Sequence, residues 1–414
     1  MERTGTIVVG GGQAGLAISH CLTDRGHEHR VLERGRIGER WRSERWDSLR
    51  LLTPNWMSRL PGWSYSGPEP DGFMSRGEVV DFLAGYARSF GAPVVEGTTV
   101  LSAASRPDGW RVVSDQGTWE ASHLVVASGH CDTPRIPGLA GDIDPRVCQL
   151  AVTGYRNPRR LPPGGVLVVG ASATGAQLAG ELAGAGRDVV LAVGRHNRLP
   201  RRYRGRDILW WLDRMGVLDR SIADMPSPAA ARREPSLQLV GGPEGGDVDL
   251  GSLAARGVRL AGRLVGADGS RVRFASDLLA TVAEADGRLG RTLDRIDRFA
   301  AAHGMAREDG APRPAPLSLP DAGPEELDLA REGISTVLWA TGFRRAYPWL
   351  PAGVLDGCGE IRQERGRAAA PGLYVLGLQF MTRRRSSFID GVGRDAEEIA
   401  ERIAGPRPAR ARAA

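Results

Sequence analysis

One pattern, stated twice, limits what this chain can fold into more than any other feature. Thr6-Ile-Val-Val-Gly10-Gly-Gly12-Gln13-Ala14-Gly15 returns as Val166-Leu-Val-Val-Gly170-Ala-Ser172-Ala-Thr174-Gly175, the first glycines standing 160 residues apart. Each copy is an apolar, largely β-branched run, then a glycine-rich turn, then a segment of helical character: Leu16–Asp24 in the first, Ala176–Ala185 in the second. A strand that feeds such a turn and opens a helix is a dinucleotide-binding unit. The small residues permit a tight turn and close approach of a pyrophosphate, which sits on the free N–H groups of the helix. A second echo, Leu124-Val-Val-Ala-Ser-Gly129 and Val337-Leu-Trp-Ala-Thr341-Gly342, offers each copy a further strand. Nothing else repeats, so the duplication is one of architecture. It predicts an α/β fold of two Rossmann-like dinucleotide-binding domains.

Composition removes other classes of function. The 414 residues suffice for two or three domains, and 41% hydrophobic with 25% charged residues is ordinary for a globular chain. The net charge of +6 suits an anionic ligand but is no nucleic-acid footprint, so no nucleic-acid partner is expected. All 55 basic residues are Arg, which excludes lysine Schiff bases and lysine nucleophiles. Cys21, Cys131, Cys148 and Cys358 are widely spaced with no C-x-x-C, so neither a dithiol redox motif nor a cysteine-rich zinc site is expected. No metal-ligand spacing stands out either. The apolar N-terminus, Thr6–Ile18, reads as the nucleotide turn rather than a signal segment, and no uninterrupted apolar run reaches the roughly 18 residues of a membrane span. A cytoplasmic protein with no membrane partner is the expectation.

At the first turn, the next apolar run, Arg30-Val-Leu-Glu33, ends in an acid 18 residues after Gly15, where a ribose-binding carboxylate belongs. Arg34 follows it. The glycines alone suit FAD or NAD equally. The segment Gly38-Glu-Arg-Trp41, continuing through Trp46 to Thr53-Pro54-Asn55-Trp56, is both more aromatic and more polar than a plain NAD-dehydrogenase crossover, and it favours FAD. At the second turn, the following strand, Val189–Val193, does not end in an acid but runs into Gly194-Arg195-His196-Asn197-Arg198. A missing ribose carboxylate with Arg beside it is the signature of a 2′-phosphate, hence NADPH, with Arg195 the favoured residue.

These segments together resemble the two-dinucleotide-binding-domain flavoproteins. Within them they resemble the flavin-containing and YUCCA-like group B monooxygenases. The resemblance rests on the two turns, Glu33, Gly38–Trp41, Thr53-Pro54-Asn55, Tyr155-Arg-Asn-Pro158, Trp339-Ala-Thr341-Gly342-Phe343, and Gly377 with Ser386-Ser-Phe-Ile-Asp390-Gly391-Val-Gly393. Pro and Gly collect at Arg156–Gly165, read as a linker into the second nucleotide unit, and at Gly310–Pro320, read as a loop leading back out, which gives an FAD-binding domain at 1–160 and 331–405, an inserted NADPH-binding domain at 161–330 and a flexible tail at 406–414. The resemblance implies cofactor contacts at Gly129, Thr341, Gly342 and Gly377, with Asp390 and Gly391 opening a helix aimed at the flavin ring. Asn55 matches a polar residue over the flavin and is the catalytic candidate; capping the turn after Pro54 is its structural alternative. The implied reaction uses NADPH and O2, through a C4a-(hydro)peroxyflavin, to oxygenate a small organic substrate at nitrogen or sulfur, or by Baeyer–Villiger attack on a carbonyl. A flavin oxidase or reductase and a non-catalytic flavoprotein sensor are the alternatives, and a homodimer is compatible with all three. One departure stands out: aligned on Tyr155, Pro145, Val147 and Ala151 occupy the Phe, Gly and His positions of the family fingerprint. That leaves the usual histidine-dependent handling of NADPH open.

Overall fold

The computed structural model describes residues 1–241, 247–305, 312–319 and 321–407. Strand β1 (Glu2–Val9) is exposed at its start and closed at its end, with Ile7 and Val8 fully buried. That gradient is expected of a parallel strand covered on both faces. The chain turns through Gly10 into α1 (Gln13–Thr23) and returns as β2 (His29–Leu32), parallel to β1 from Thr6 opposite His29 to Val9 opposite Leu32. On the other side of β1 lies β3 (Gly117–Val126), the last strand of an antiparallel meander that begins at Val100–Arg106.

The chain then builds a second sheet. Its elements are β4 (Cys148–Ala151), β5 (Gly165–Val169), α2 (Ala173–Gly184), β6 (Val189–Ala192), β7 (Arg259–Ala261), the long helix α3 (Leu278–Ala302) and β8 (Ile334–Trp339). The strand order is β4-β8-β5-β6-β7, all parallel. Re-entering the first sheet, β9 (Leu373–Val375) pairs parallel with β3, and the described chain closes on α4 (Ile389–Ala404), which packs against α1. The first sheet therefore runs β9-β3-β1-β2 where the second runs β4-β8-β5-β6. The repeat in the sequence is a repeat of strand order, and the second domain is inserted in the first.

The expected domain boundaries need correcting. Those at 160 and 331 leave β4 and β8 outside the second domain, yet both pair within its sheet. The chain crosses between domains where Thr133–Pro134 pairs antiparallel with Phe343–Arg344. The Pro- and Gly-rich run Arg156–Gly165 is a loop inside the second domain, because β5 must lie beside β8 to be covered on both edges. Gly310, Ala311 and Pro320 of the second Pro-rich run, and most of the expected tail (408–414), lie outside the described residues.

A third apolar cluster fills the space between the domains. Leu209, Trp211, Leu212, Leu218 and Leu239 meet Leu289, Leu293 and Ile296 of α3, with Met57, Leu52 and Phe388 contributed from the first domain. No helix among the described residues is long and apolar enough to cross a membrane.

Candidate active site

At the first turn Gly10 has φ +113°, and a Cβ there would lie 2.6 Å from the Ala127 carbonyl oxygen of β3's continuation. A Cβ on Gly15 would fall 1.8 Å from the Gly10 carbonyl oxygen, so α1 packs directly on the turn. Gly12, between them, faces open space. It caps α1 without any side-chain hydrogen bond, whereas the helix Arg76–Ser89 is closed by a Ser75/Glu78 capping box. The N–H groups of α1 are thus left for a ligand. Glu33, at the end of β2, accepts hydrogen bonds from the backbone N–H of Gly11 (2.5 Å) and of Gly35 (3.0 Å). The acid that the spacing assigns to a ribose also braces the turn itself.

From this turn a cavity of about 1160 Å³ runs between the domains, larger than the roughly 300–1,000 Å³ of a single small-ligand pocket. Gly10, Gly12, Gln13, Ala14, Glu33, Arg34, Trp41, Thr53, Gly129 and Gly377 line it. Gly377, with φ +79°, lies so close to α1 that a Cβ would sit 2.7 Å from the Ala14 Cβ. Gln13 reaches the Ser387 carbonyl at 3.5 Å, bringing Ser387, Phe388 and Ile389 at the start of α4 to the same wall. One end of the cavity is charged. There Arg34 pairs with Glu44 (3.1 Å), Arg40 pairs with Glu44 and Asp132, and Arg45 lies over the Trp41 ring with no carboxylate partner among the described residues. The other end is walled by Leu209, Leu212, Leu218, Leu239, Phe380 and Phe388, and the one ion pair there among the described residues, Glu234 with Arg384 (2.7 Å), is self-neutralised. Phe380 holds φ +47°, a conformation bulky residues rarely adopt and one that tends to persist at functional sites.

The second turn repeats the first closely. Gly170 has φ +106°, a Cβ there would meet the Ala340 carbonyl oxygen at 2.5 Å, and one on Gly175 would meet the Gly170 carbonyl oxygen at 1.7 Å. Ser172 caps α2 without a side-chain hydrogen bond. Thr174 is half-buried beside it, and Arg195, just past β6, is exposed. Yet Gly170, Ser172, Thr174, Gly175 and Arg195 are all absent from the cavity wall.

Residues 7–209 match the family model described as pyridine nucleotide-disulphide oxidoreductase. The chain is 30% identical to the CzcO-like oxidoreductase of Geobacillus kaustophilus (strain HTA426), over 95% of this chain and 96% of that protein. It is 32% identical to the indole-3-pyruvate monooxygenase YUCCA1 of Oryza sativa subsp. japonica over 43% of this chain and 45% of that one. A flavin-containing monooxygenase from Stenotrophomonas maltophilia shares the fold at TM-score 0.68 and 20% identity, covering 97% of this chain and 98% of its own. The chain belongs to the family of CzcO-like oxidoreductases. It is an oxidoreductase of that type, and it shares the two dinucleotide-binding domains of the flavin-containing monooxygenase fold.

Not every residue that the family pattern pointed to reaches the cavity of this oxidoreductase. Asn55 is buried, its Oδ1 accepting from the Met74 N–H (2.8 Å) and its Nδ2 donating to the Glu69 carbonyl (2.9 Å). It braces the loop, and Thr53, two residues earlier, faces the cavity instead. Thr341 donates to the Arg135 carbonyl and Gly342 accepts from the Arg135 N–H, so both tie the crossing between domains. Asp390 is locked between Arg59 (2.6 Å) and Arg385, in a small separate pocket, and the Gly391 N–H is spent on the Phe388 carbonyl. Gly391 is required for another reason: a Cβ there would lie 2.0 Å from the Arg385 carbonyl oxygen. Of the family fingerprint, Ala151 ends β4 opposite Trp339, and Tyr155 is fully buried with its hydroxyl on Glu181 (3.2 Å). Glu181 in turn accepts from Ser48 (2.7 Å), so Glu181, steadied by Tyr155, ties α2 to the first domain. Sequence reasoning missed His130 and Cys131, which directly follow Gly129 and line the cavity.

Proposed function

We propose that the protein is an FAD- and NADPH-dependent monooxygenase. The net reaction would be NADPH, H⁺, O2 and a small organic substrate giving NADP⁺, water and the oxygenated substrate, with oxygen added at nitrogen or sulfur or inserted beside a carbonyl. The observation that carries this reading is a single cavity with two unlike ends. One end is a glycine turn with free helix N–H groups and a Glu at the ribose position; the other is an apolar chamber between the domains. FAD fits the donor set at the first: open space at Gly12, an uncapped α1, Glu33 for the ribose and Trp41 and Thr53 further along. Bound there, flavin would relay two electrons from nicotinamide to oxygen.

The remaining work falls to the chain's own side chains. Leu212, Leu218, Phe380 and Phe388 exclude water from the chamber, which protects a reactive oxygen species from hydrolysis. Arg195, exposed beyond β6 with no acid in the ribose position, selects a 2′-phosphate at the second turn. The test is anaerobic stopped-flow on flavin-loaded protein, following flavin bleaching with NADPH and then with NADH before oxygen is admitted. The reading expects faster bleaching by NADPH, then a long-lived absorbing species distinct from reduced and oxidised flavin, and substrate consumption. Rapid return to oxidised flavin with peroxide as sole product, substrate present or not, would replace it with an NADPH oxidase. No reduction by either nucleotide would leave only a flavin-binding sensor.

A further inference from the structure

One extended stretch of chain separates the second glycine turn from the cavity. Leu237 and Gln238 pair in parallel with Asn197 and Arg198, a little beyond β6. Successive side chains on an extended strand point to opposite faces. Leu237 and Leu239 accordingly line the cavity. Gln238 points the other way, its Nε2 donating to the carbonyl of Ala171 inside the second turn at 2.5 Å. Gln177, early in α2, donates to the Leu239 carbonyl at 2.7 Å. Further on, Gly241 abuts the first domain, where a Cβ would lie 2.0 Å from the Leu51 carbonyl oxygen. The stretch thus spans from one dinucleotide turn to the wall of the other's cavity.

Beyond the packing of Leu237 and Leu239 in the apolar cluster between the domains, its hydrogen-bonded attachments are few. The ladder with Asn197–Arg198 is two residues long, and both hooks onto the turn and α2 are side-chain amides on carbonyls. Gln238 is 1% exposed, yet its Oε1 has no hydrogen-bond partner among the described residues. A buried acceptor left unpaired makes the closed arrangement costly and leaves an amide face ready for another polar group.

We propose that Leu237–Leu239 is a latch, fastened by Gln238 to Ala171, that closes the second turn off from the flavin cavity and lifts when a nicotinamide dinucleotide binds. The proposal rests on the reading that this nucleotide uses the second turn. A pyrophosphate arriving at the N–H groups near Ser172 competes for the space beside Ala171 that the Gln238 amide holds. Releasing that amide withdraws Leu237 and Leu239 together, because they are neighbours on one short strand, and opens a path from the turn to the cavity. Hydride delivery is thereby tied to nucleotide binding, and the cavity stays shut to water at other times.

The experiment measures NADP⁺ binding and backbone amide exchange over residues 237–241 in the flavin-loaded wild type and in Gln238→Ala and Arg195→Ala. Exchange in the wild type should speed up on adding NADP⁺. In Gln238→Ala exchange should be fast without nucleotide, and NADP⁺ should bind more tightly, about tenfold if the open state is now the major one. Weaker binding by Gln238→Ala would make Gln238 a direct ligand and overturn the latch. Unchanged binding and exchange would make the stretch a fixed wall and overturn the latch equally. Exchange in the wild type that slows with NADP⁺ also overturns it, whether or not Gln238→Ala folds. Undiminished NADP⁺ binding by Arg195→Ala would show that the nucleotide sits elsewhere, and the functional reading would fall with the latch. Lost binding there beside an unaltered Gln238→Ala removes the latch alone.

Discussion

The two glycine turns have nearly the same backbone and quite different surroundings. In each, a positive-φ glycine presses on the carbonyl that follows a neighbouring strand, and the third glycine admits the helix to within van der Waals contact of the first. The first opens onto a cavity and carries an acid; the second is covered by Leu237–Leu239 and carries an exposed arginine. Turn geometry therefore records only that a dinucleotide can be held. What surrounds the turn decides which one and when.

The largest effects test that division of labour. Gly15→Ala and Gly175→Ala place a methyl at 1.8 Å and 1.7 Å from a carbonyl oxygen, which no side-chain movement relieves, and each should cost on the order of 3 kcal/mol in thermal unfolding. Their functional losses should differ. Gly15→Ala should purify without flavin. Gly175→Ala should keep flavin that dithionite reduces but NADPH does not. Normal NADPH reduction in Gly175→Ala would erase the distinction between the turns.

Next in size is Arg195→Ala. Losing a charge-assisted hydrogen bond to a 2′-phosphate should raise the NADPH concentration for half-maximal flavin reduction by about ten- to a hundredfold, with NADH little affected. An equal effect on both nucleotides would mean that Arg195 contacts the pyrophosphate or only shapes the loop.

The same contrast explains which parts of the site could be read from the sequence. Turn residues were legible because tight backbone approach permits almost nothing but glycine there, and Glu33 because its distance from the turn is set by one helix and one strand. Asn55, Thr341, Asp390 and Gly391 were misplaced because a motif gives a residue's neighbourhood and not the direction of its side chain. Asn55 turned inward onto Glu69 and Met74, and Asp390 was captured by Arg59 and Arg385 from distant segments. Domain boundaries failed for a similar reason: proline and glycine mark loops, while β8 belongs to whichever sheet can cover it. The strand echo that pairs Leu124–Gly129 with Val337–Gly342 was the available signal, since the two strands flank equivalent glycine strands.

A smaller effect separates bracing from chemistry on the first-turn side. Asn55→Ala leaves the Met74 N–H and the Glu69 carbonyl without their partner, which should lower stability by about 2 kcal/mol. Turnover per bound flavin should stay at the wild-type level. A fall in turnover with stability unchanged would restore Asn55 to the reacting centre.

The smallest effect is a labelling rate, and it probes the separation of the two turns without altering either. Burial alone would raise the Cys131 thiol, but His130, Arg45 and Arg40 outweigh it and hold the group below the ordinary thiol value. Cys21 is pushed the other way by burial and by Glu397. A lowered value means a larger thiolate fraction at neutral pH, and the thiolate is the nucleophile. Iodoacetamide at pH 7 should therefore alkylate Cys131 of the flavin-free protein well ahead of Cys21. The Cys131 rate should also level off at lower pH than that of an ordinary thiol. Because Cys131 lines the cavity of the first turn, FAD should protect it and NADP⁺ alone should not. If NADP⁺ protects Cys131 as fully as FAD does, NADP⁺ occupies the first turn as well, and the assignment of one nucleotide to each turn falls.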